Sequence, residues 1–225
     1  MPDICRNCKN KSKAAGKLDQ KELERLGHNC QRVIFQKNER IMIQNAPSYA
    51  IVFIQKGLVK VHAMGPEKEQ ILRIVKGPAY LGIPTTVVAK INQYSVTALS
   101  KTNVCFIGFA IFNEFVTNNS AFAYEIIVEL CKSELYNYKR CINQLQKQSS
   151  GKLAEALLYF SEEIFNAKNF KLPLTRNELG DLTCNSRETI SRILSDFSAN
   201  KIIKIKKNFI SILDKEQLER ISKIG

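Results

Sequence analysis

The spacing of apolar and polar residues changes character along this chain, and each change marks a different kind of structure. Between residues 31 and 112, short runs such as RVIFQK, YAIVFIQKG, LVKVHAMG, EQILRIVKG, YSVTALS and NVCFIGF are rich in β-branched and aromatic residues, with Gly, Pro and Asn between them. Short strands punctuated by turn residues predict an antiparallel barrel or sandwich. Ahead of them, Leu23 and Leu26 mark the buried side of a short helix around Asp19 to Gly27. From Ala121 to Lys147 the period becomes helical, and Val128, Cys131, Leu135, Tyr138, Ile142 and Leu145 alternate spacings of three and four. This is a heptad seam long enough to pair with a second copy of itself, packing against its own domain being the alternative.

The stretch KQSSGK breaks that period and reads as a hinge, and residues 153–165 are amphipathic again. In LTRNELGDLT, Thr175 and Glu178 form a capping box that starts a helix, with Leu179 and Leu182 on its buried side. CNS then makes a turn, with Asn185 or Ser186 capping the next helix. KIIKIKKNFISIL holds two alternating strands around the polar pair Lys207-Asn208, a hairpin pattern. Two short helices, a tight turn and a basic hairpin predict a winged helix-turn-helix.

The second helix of that motif, within TCNSRETISRIL, separates two faces. At 100° per residue, Arg187, Glu188, Ser191 and Arg192 share one side, while Ile190, Ile193, Leu194 and Phe197 share the other. A recognition helix presents its N-terminal residues to the major groove. There Arg suits the acceptors of guanine, and Glu accepts from the cytosine amino group. Ser186 at the helix start, and Thr175 and Arg176 at the start of the preceding helix, belong to the same candidate DNA surface. The hairpin adds Lys201, Lys204, Lys206 and Lys207 with no acid among them, which fits phosphate contact. A solvated face laced by a Glu188–Arg192 pair is the plainer alternative.

Composition narrows the class further. The 225 residues are 44% hydrophobic and 24% charged, as in a soluble globular protein, and the formal net charge of +13 makes an anionic partner plausible. Seven cysteines without a secretory segment point to a reducing compartment, the cytoplasm. The longest apolar run, Val104 to Phe112, is too short to span a bilayer, so no membrane partner is expected. There are only two histidines, and neither an HExxH motif nor a glycine-rich phosphate loop occurs. The expectation is therefore a non-enzyme, with a cysteine-based redox or metal protein as the competing class.

The segment LTRNELGDLTCNSRETISRILSDFSANKIIKIKKNFISIL resembles the winged helix-turn-helix of the Crp/Fnr transcription regulators, most specifically through SRETISR. The order of parts is similar as well. The resemblance implies an α+β chain with a cyclic-nucleotide-binding-like β-roll (a jelly roll), a long dimerisation helix and a C-terminal winged helix-turn-helix. The corresponding boundaries are an arm at 1–17, a β-roll sensor at 18–115, a dimerisation helix at 116–148 and a DNA-binding domain at 149–225. Glu188, Ser191 and Arg192 match the E-x-x-S-R of the Fnr branch, and Arg187 stands where the Crp branch reads a base. The resemblance further implies a homodimer on palindromic double-stranded DNA that acts with RNA polymerase.

The effector is less determined. Cyclic AMP is not expected. YLGIPTT keeps Gly82 but has Ile83 in place of the acid that would bind the ribose. Asn92, Gln93 and Tyr94 stand where the phosphate-binding Arg run would be. Oxygen-sensing Fnr proteins hold a [4Fe-4S] cluster on three N-terminal cysteines and one in the β-roll. Here Cys5 and Cys8 have C-x2-C spacing and Cys105 matches the β-roll position, but the next cysteine is Cys30, beyond the first helix. Either Cys30 completes the set, or another ligand does, or the arm carries free thiols, a zinc or a redox pair. Haem is a further option, with His62 as the strand histidine. Cys131, Cys141 and Cys184 read most simply as small buried apolar residues.

Overall fold

The fold is that of a computed structural model, which describes Cys5, Cys8 and residues 10–225. The chain divides into two compact units: Met1–Lys68 with Leu72–Leu135, and Glu69–Ile71 with Tyr136–Gly225.

The first unit opens with a 3-10 turn at Ala15–Lys17 and then α1 (Gln20–His28), which starts at a capping box between Asp19 and Glu22. Eight strands follow: β1 (Cys30–Phe35), β2 (Arg40–Met42), β3 (Ala50–Lys56), β4 (Leu58–Met64), β5 (Glu69–Lys76), β6 (Ala79–Leu81), β7 (Ser95–Ala98) and β8 (Thr102–Gly108). They form two four-stranded sheets, in the orders β1-β8-β3-β6 and β2-β7-β4-β5. Their assigned pairings are antiparallel. Ile51, Ile54, Val59, Val96 and Val104 are essentially fully buried, and each such side chain contributes about 1.5–3 kcal/mol. A helix α2 (Phe109–Asn118) and the start of α3 (Ser120–Gln146) close one side. There Phe112 and Phe115 each meet the Phe122 ring at 5.7 Å, edge to face.

Three features differ from what the local sequence marks. Within the arm, Ala14 and Ala15 are core residues, and the Ser12 hydroxyl bonds the Tyr80 hydroxyl at 2.6 Å. Two alanines and a serine carry little hydrophobic signal, so only docking shows their burial. Residues 1–4, 6, 7 and 9 of the arm lie outside the described residues. The long helix is preceded by a separate one, because Asn119 takes an extended conformation and its Oδ1 accepts from the Phe122 N–H at 2.9 Å. Cys131, Cys141 and Cys184 are exposed, not buried. Cys131 and Cys141 sit on outward positions of α3, and Cys184 sits on a turn.

The second unit contains α4 (Ser149–Tyr159), a π-helical turn at Phe160–Phe165, β9 (Asn169–Lys171), α5 (Arg176–Thr183), α6 (Arg187–Ala199), β10 (Ile203–Lys206), β11 (Phe209–Ile212) and α7 (Lys215–Ile224). Leu153, Leu157, Phe160, Leu179, Ile190 and Leu218 form its buried centre. The expected hairpin gains a third strand, giving the order β10-β11-β9. KQSSGK is not an extended hinge: the helical path breaks only near Lys147 and Gln148, and Ser149 to Lys152 are already the first turn of α4. Gly151 packs there against the backbone of Gly225, a contact invisible in the local sequence.

Candidate nucleic-acid interface and cysteine pocket

The helix-turn-helix is built by its caps. Thr175 Oγ1 accepts from the Glu178 N–H, and the Glu178 carboxylate accepts from the Thr175 N–H at 2.8 Å. Cys184 ends α5 in the left-handed region (φ 55°, ψ 43°), and Ser186 starts α6 by accepting from the Thr189 N–H at 3.1 Å. Of the two cap candidates, Ser186 takes the role, while Asn185 donates to the Thr183 carbonyl and hydroxyl.

With α6 so oriented, Ile190, Ile193, Leu194 and Phe197 are buried, and Arg187, Glu188, Ser191 and Arg192 stand exposed. Arg192 pairs loosely with Asp196 at 3.8 Å, on a side chain that is 70% exposed, so it is available for recruitment. The Glu188 carboxyl is held below its ordinary range by its own amide, by the Ser186 side chain and by Arg187. It is thus an ionised acceptor at a helix start. Ser191 donates to the Arg187 carbonyl at 2.9 Å and keeps its acceptor lone pairs. Thr175 is exposed and Arg176 half-buried.

Lys201, Lys204, Lys206 and Lys207 are all exposed. Lys207 occupies the hairpin turn in the left-handed region (φ 58°). Lys204 and Lys206 project from one face of β10, because successive strand residues alternate. Residues 148–150 at the start of α4 line a groove together with Arg192. A hinge at this stretch would leave these amides without a fixed direction, and no local signal joins them to α6.

On α3, Val128 is half-buried while Cys131, Leu135, Tyr138, Ile142 and Leu145 are exposed. Leu135, Tyr138, Ile142 and Leu145 thus form an exposed apolar row along the helix, the kind of patch that marks an interaction surface.

The four cysteines singled out by sequence meet in the first unit. Cys5, Cys8, Cys30 and Cys105 line one pocket of about 30 Å³ with Lys11, Arg32, Gln55 and Tyr80. Cys30 shares this lining with Cys5 and Cys105. Hydrogen bonding from the Cys30 side chain, with the Arg32 charge, lowers the Cys5 thiol to about 6 against the opposing effect of burial, and Cys105 is lowered chiefly by Cys30 as well. Cys30 itself is pushed up by its bonds to Cys105 and Cys5. The Cys8 sulfur accepts from Gln55 Nε2 at 2.8 Å. Among the described residues, no three His, Cys, Asp or Glu side chains form a set that could hold a metal ion. Arg32 carries no motif of its own; strand alternation from Cys30 is the signal that places it on the same face.

In the β-roll, Ile83 is buried and the Gly82 N–H donates to the Tyr94 hydroxyl at 2.8 Å. Asn92 is buried and donates to the Ile43 carbonyl at 3.1 Å, whereas Gln93 is exposed. Lys90 lies 3.7 Å from the centre of the Phe109 ring and donates to the Thr86 carbonyl. His62 is buried, with Nε2 bonded to Thr97 Oγ1 at 2.8 Å. No helix among the described residues is long and apolar enough to cross a membrane.

Comparison with known proteins agrees with both units. Residues 32–119 match the cyclic nucleotide-binding domain, and residues 151–221 match the Crp-like helix-turn-helix domain. The chain is 26% identical over 212 residues to Electron transport regulator A of Shewanella oneidensis, covering 91% of this chain and 84% of that protein. It is 23% identical over 215 residues to the Fumarate and nitrate reduction regulatory protein of Vibrio cholerae, covering 92% and 85%. The structure of FixK2 from Bradyrhizobium japonicum superposes with a TM-score of 0.78 at 16% identity, over 87% of this chain and 98% of that one.

Proposed function

The chain belongs to the Crp/Fnr family of DNA-binding transcription regulators, nearer its Fnr branch, and on that premise we propose that it acts in the cytoplasm as a homodimer on an inverted-repeat DNA site. The observation that carries this reading is the exposed face of α6, Arg187, Glu188, Ser191 and Arg192, beside four exposed lysines. Bases are read by Glu188, Ser191, Arg187 and Arg192, and phosphates by Lys204, Lys206 and Lys207 with Thr175, Arg176 and Ser186. The start of α4 offers further backbone amides to a phosphate. The α3 seam pairs with its copy. This sets the two recognition helices about one helical turn of DNA apart, and RNA polymerase is the downstream partner. The protein regulates rather than catalyses. Selection from random DNA tests this: an inverted repeat with a TGA-like core supports it, and enrichment without two-fold symmetry refutes it.

The signal we assign is oxygen or redox state, sensed at the cysteine pocket; relatives from Pasteurella multocida and Haemophilus influenzae that bear the name Anaerobic regulatory protein support this. Cys5, Cys8, Cys30 and Cys105 would hold a [4Fe-4S] cluster, supplying an oxygen-labile group. The residues fit by their chemistry. Thiolates are the ligands such clusters need, no carboxylate among the described residues lines the pocket, and Lys11 and Arg32 offset the negative charge of four thiolates. Cys30 supplies from β1 what a third arm cysteine would otherwise supply. The cavity is about 30 Å³, so the arm has to yield outward, because β1 and β8 are held in their ladder.

Cyclic AMP and haem find less support. Where a cyclic phosphate would need a cation, Lys90 is committed to Phe109 and Thr86. The His62 Nε2 is committed to Thr97.

A further inference from the structure

We propose that the outer face of the three-stranded sheet β10-β11-β9 docks on a DNA minor groove, with the Phe209 ring entering the groove and Lys206 and Lys171 holding its two phosphate walls. The inference deepens the DNA-binding reading above and rests on it. Phe209 stands directly opposite Lys206 on β10 and Lys171 on β9, so the three side chains form one row across the sheet with the aromatic ring in the middle. Lys204, Ser211 and Asn169 form the next row on the same face. On the opposite face, Ile203, Ile210, Ile212 and Phe170 are buried. That burial fixes the register, because a slip by one residue would turn the lysines toward the core. The three strands carry no acid, which suits a polyanion.

The groove follows from spacing and from what the row carries. In the DNA-binding reading α6 takes the major groove, so the sheet that packs on it through β10 meets the neighbouring minor groove. β9 and β10 flank β11, which sets the Cα atoms of Lys206 and Lys171 about 9–10 Å apart across Phe209. A minor groove is about 6 Å wide, so two long cationic side chains at this spacing straddle it, one to each strand. Apolar wedges such as Phe enter that groove at its base steps. Phe209 is 46% exposed although it sits on the central strand, so a large part of its ring still has apolar surface to bury. Ser211 and Asn169 offer a hydroxyl and an amide to phosphate or sugar oxygens. The contact surface thus reaches past the hairpin lysines to the third strand.

The test uses the full chain and a duplex carrying the selected inverted repeat, with about one helical turn of flank on each side. Hydroxyl-radical cleavage, which reads the sugars of the minor groove, should show a protected window in each half of the site. Phe209→Ala should lose that window and weaken binding roughly tenfold, since about half of the ring's transfer free energy is still to be gained. Phe209→Tyr should restore both. Lys171→Ala should reduce the salt slope by about 1. The chain has no Trp, so Phe209→Trp supplies a single fluorophore, whose emission the duplex should quench and shield from acrylamide. This variant keeps a ring in the sheet, so it decides the matter even where Phe209→Ala loosens the hairpin. A footprint that Phe209→Ala leaves unchanged, or Trp emission still open to acrylamide in the complex, overturns the proposal alone. A wild-type chain that retains no duplex from random DNA overturns the recognition-helix reading as well, so the two failures are told apart.

Discussion

A Cβ placed on Gly180 would stand 2.6 Å from the carbonyl oxygen of Asn185, so α5 can pass the start of α6 at this distance only with glycine. In an open helix, Ala would be favoured over Gly by about 1 kcal/mol. Here the obstacle is backbone, which cannot swing aside as a side chain does. Gly180→Ala should therefore destabilise the second unit by about 1–3 kcal/mol and weaken DNA binding. A melting curve and a DNA titration check this; an unchanged or raised Tm would show that the turn relaxes freely.

Arg192→Ala should cost on the order of 1–3 kcal/mol in binding and relax selection at one base pair, since the contact that holds its side chain to Asp196 is loose and exposed. Lys206→Ala should weaken all sequences alike and reduce the salt slope by about 1. Binding measured across salt on matched and mismatched sites separates the two. Equal loss of selectivity from both would refute the division into base and phosphate contacts.

Ile142→Glu should convert a dimer into a folded monomer. The side chain is 53% exposed within one chain, so its own fold does not need it. In the paired seam, the two introduced carboxylates would cost on the order of several kcal/mol. Sedimentation reads the mass, and circular dichroism reads the fold. A variant that remains dimeric would place the interface elsewhere.

Protein purified without oxygen should be brown, with about four irons per chain, and air should bleach it and weaken DNA binding. Cys30→Ser should lower the iron bound. Colourless, iron-free protein that binds DNA equally well with Cys5→Ala and Cys8→Ala would eliminate the cluster.

Cyclic AMP should show no saturable heat in calorimetry, because a buried phosphate without a paired cation pays desolvation with little return. Tight binding would point to Lys90 leaving the Phe109 ring for the phosphate.

Local signals suffice for much of this molecule. Runs rich in β-branched and aromatic residues mark the six longer strands of the β-roll, alternation marks β10 and β11, the capping box at Thr175 and Glu178 marks α5, and the 100° arrangement separates Arg192 from Ile193 on α6. Each depends on residues within about one turn or one strand, whose energetics are local. The short strands β2, β6 and β9, at three residues each, are too brief to carry a period and exist through their partners. The burial of Ala14 and Ala15, the packing of Gly151 against Gly225 and the meeting of Cys5 with Cys30 and Cys105 are decided by tertiary structure. Small residues and lone thiols have too little surface to announce their place. The exposure of Cys131, Cys141 and Cys184 has the same cause: a cysteine suits either environment, and the faces of α3 and the turn after α5 settle which.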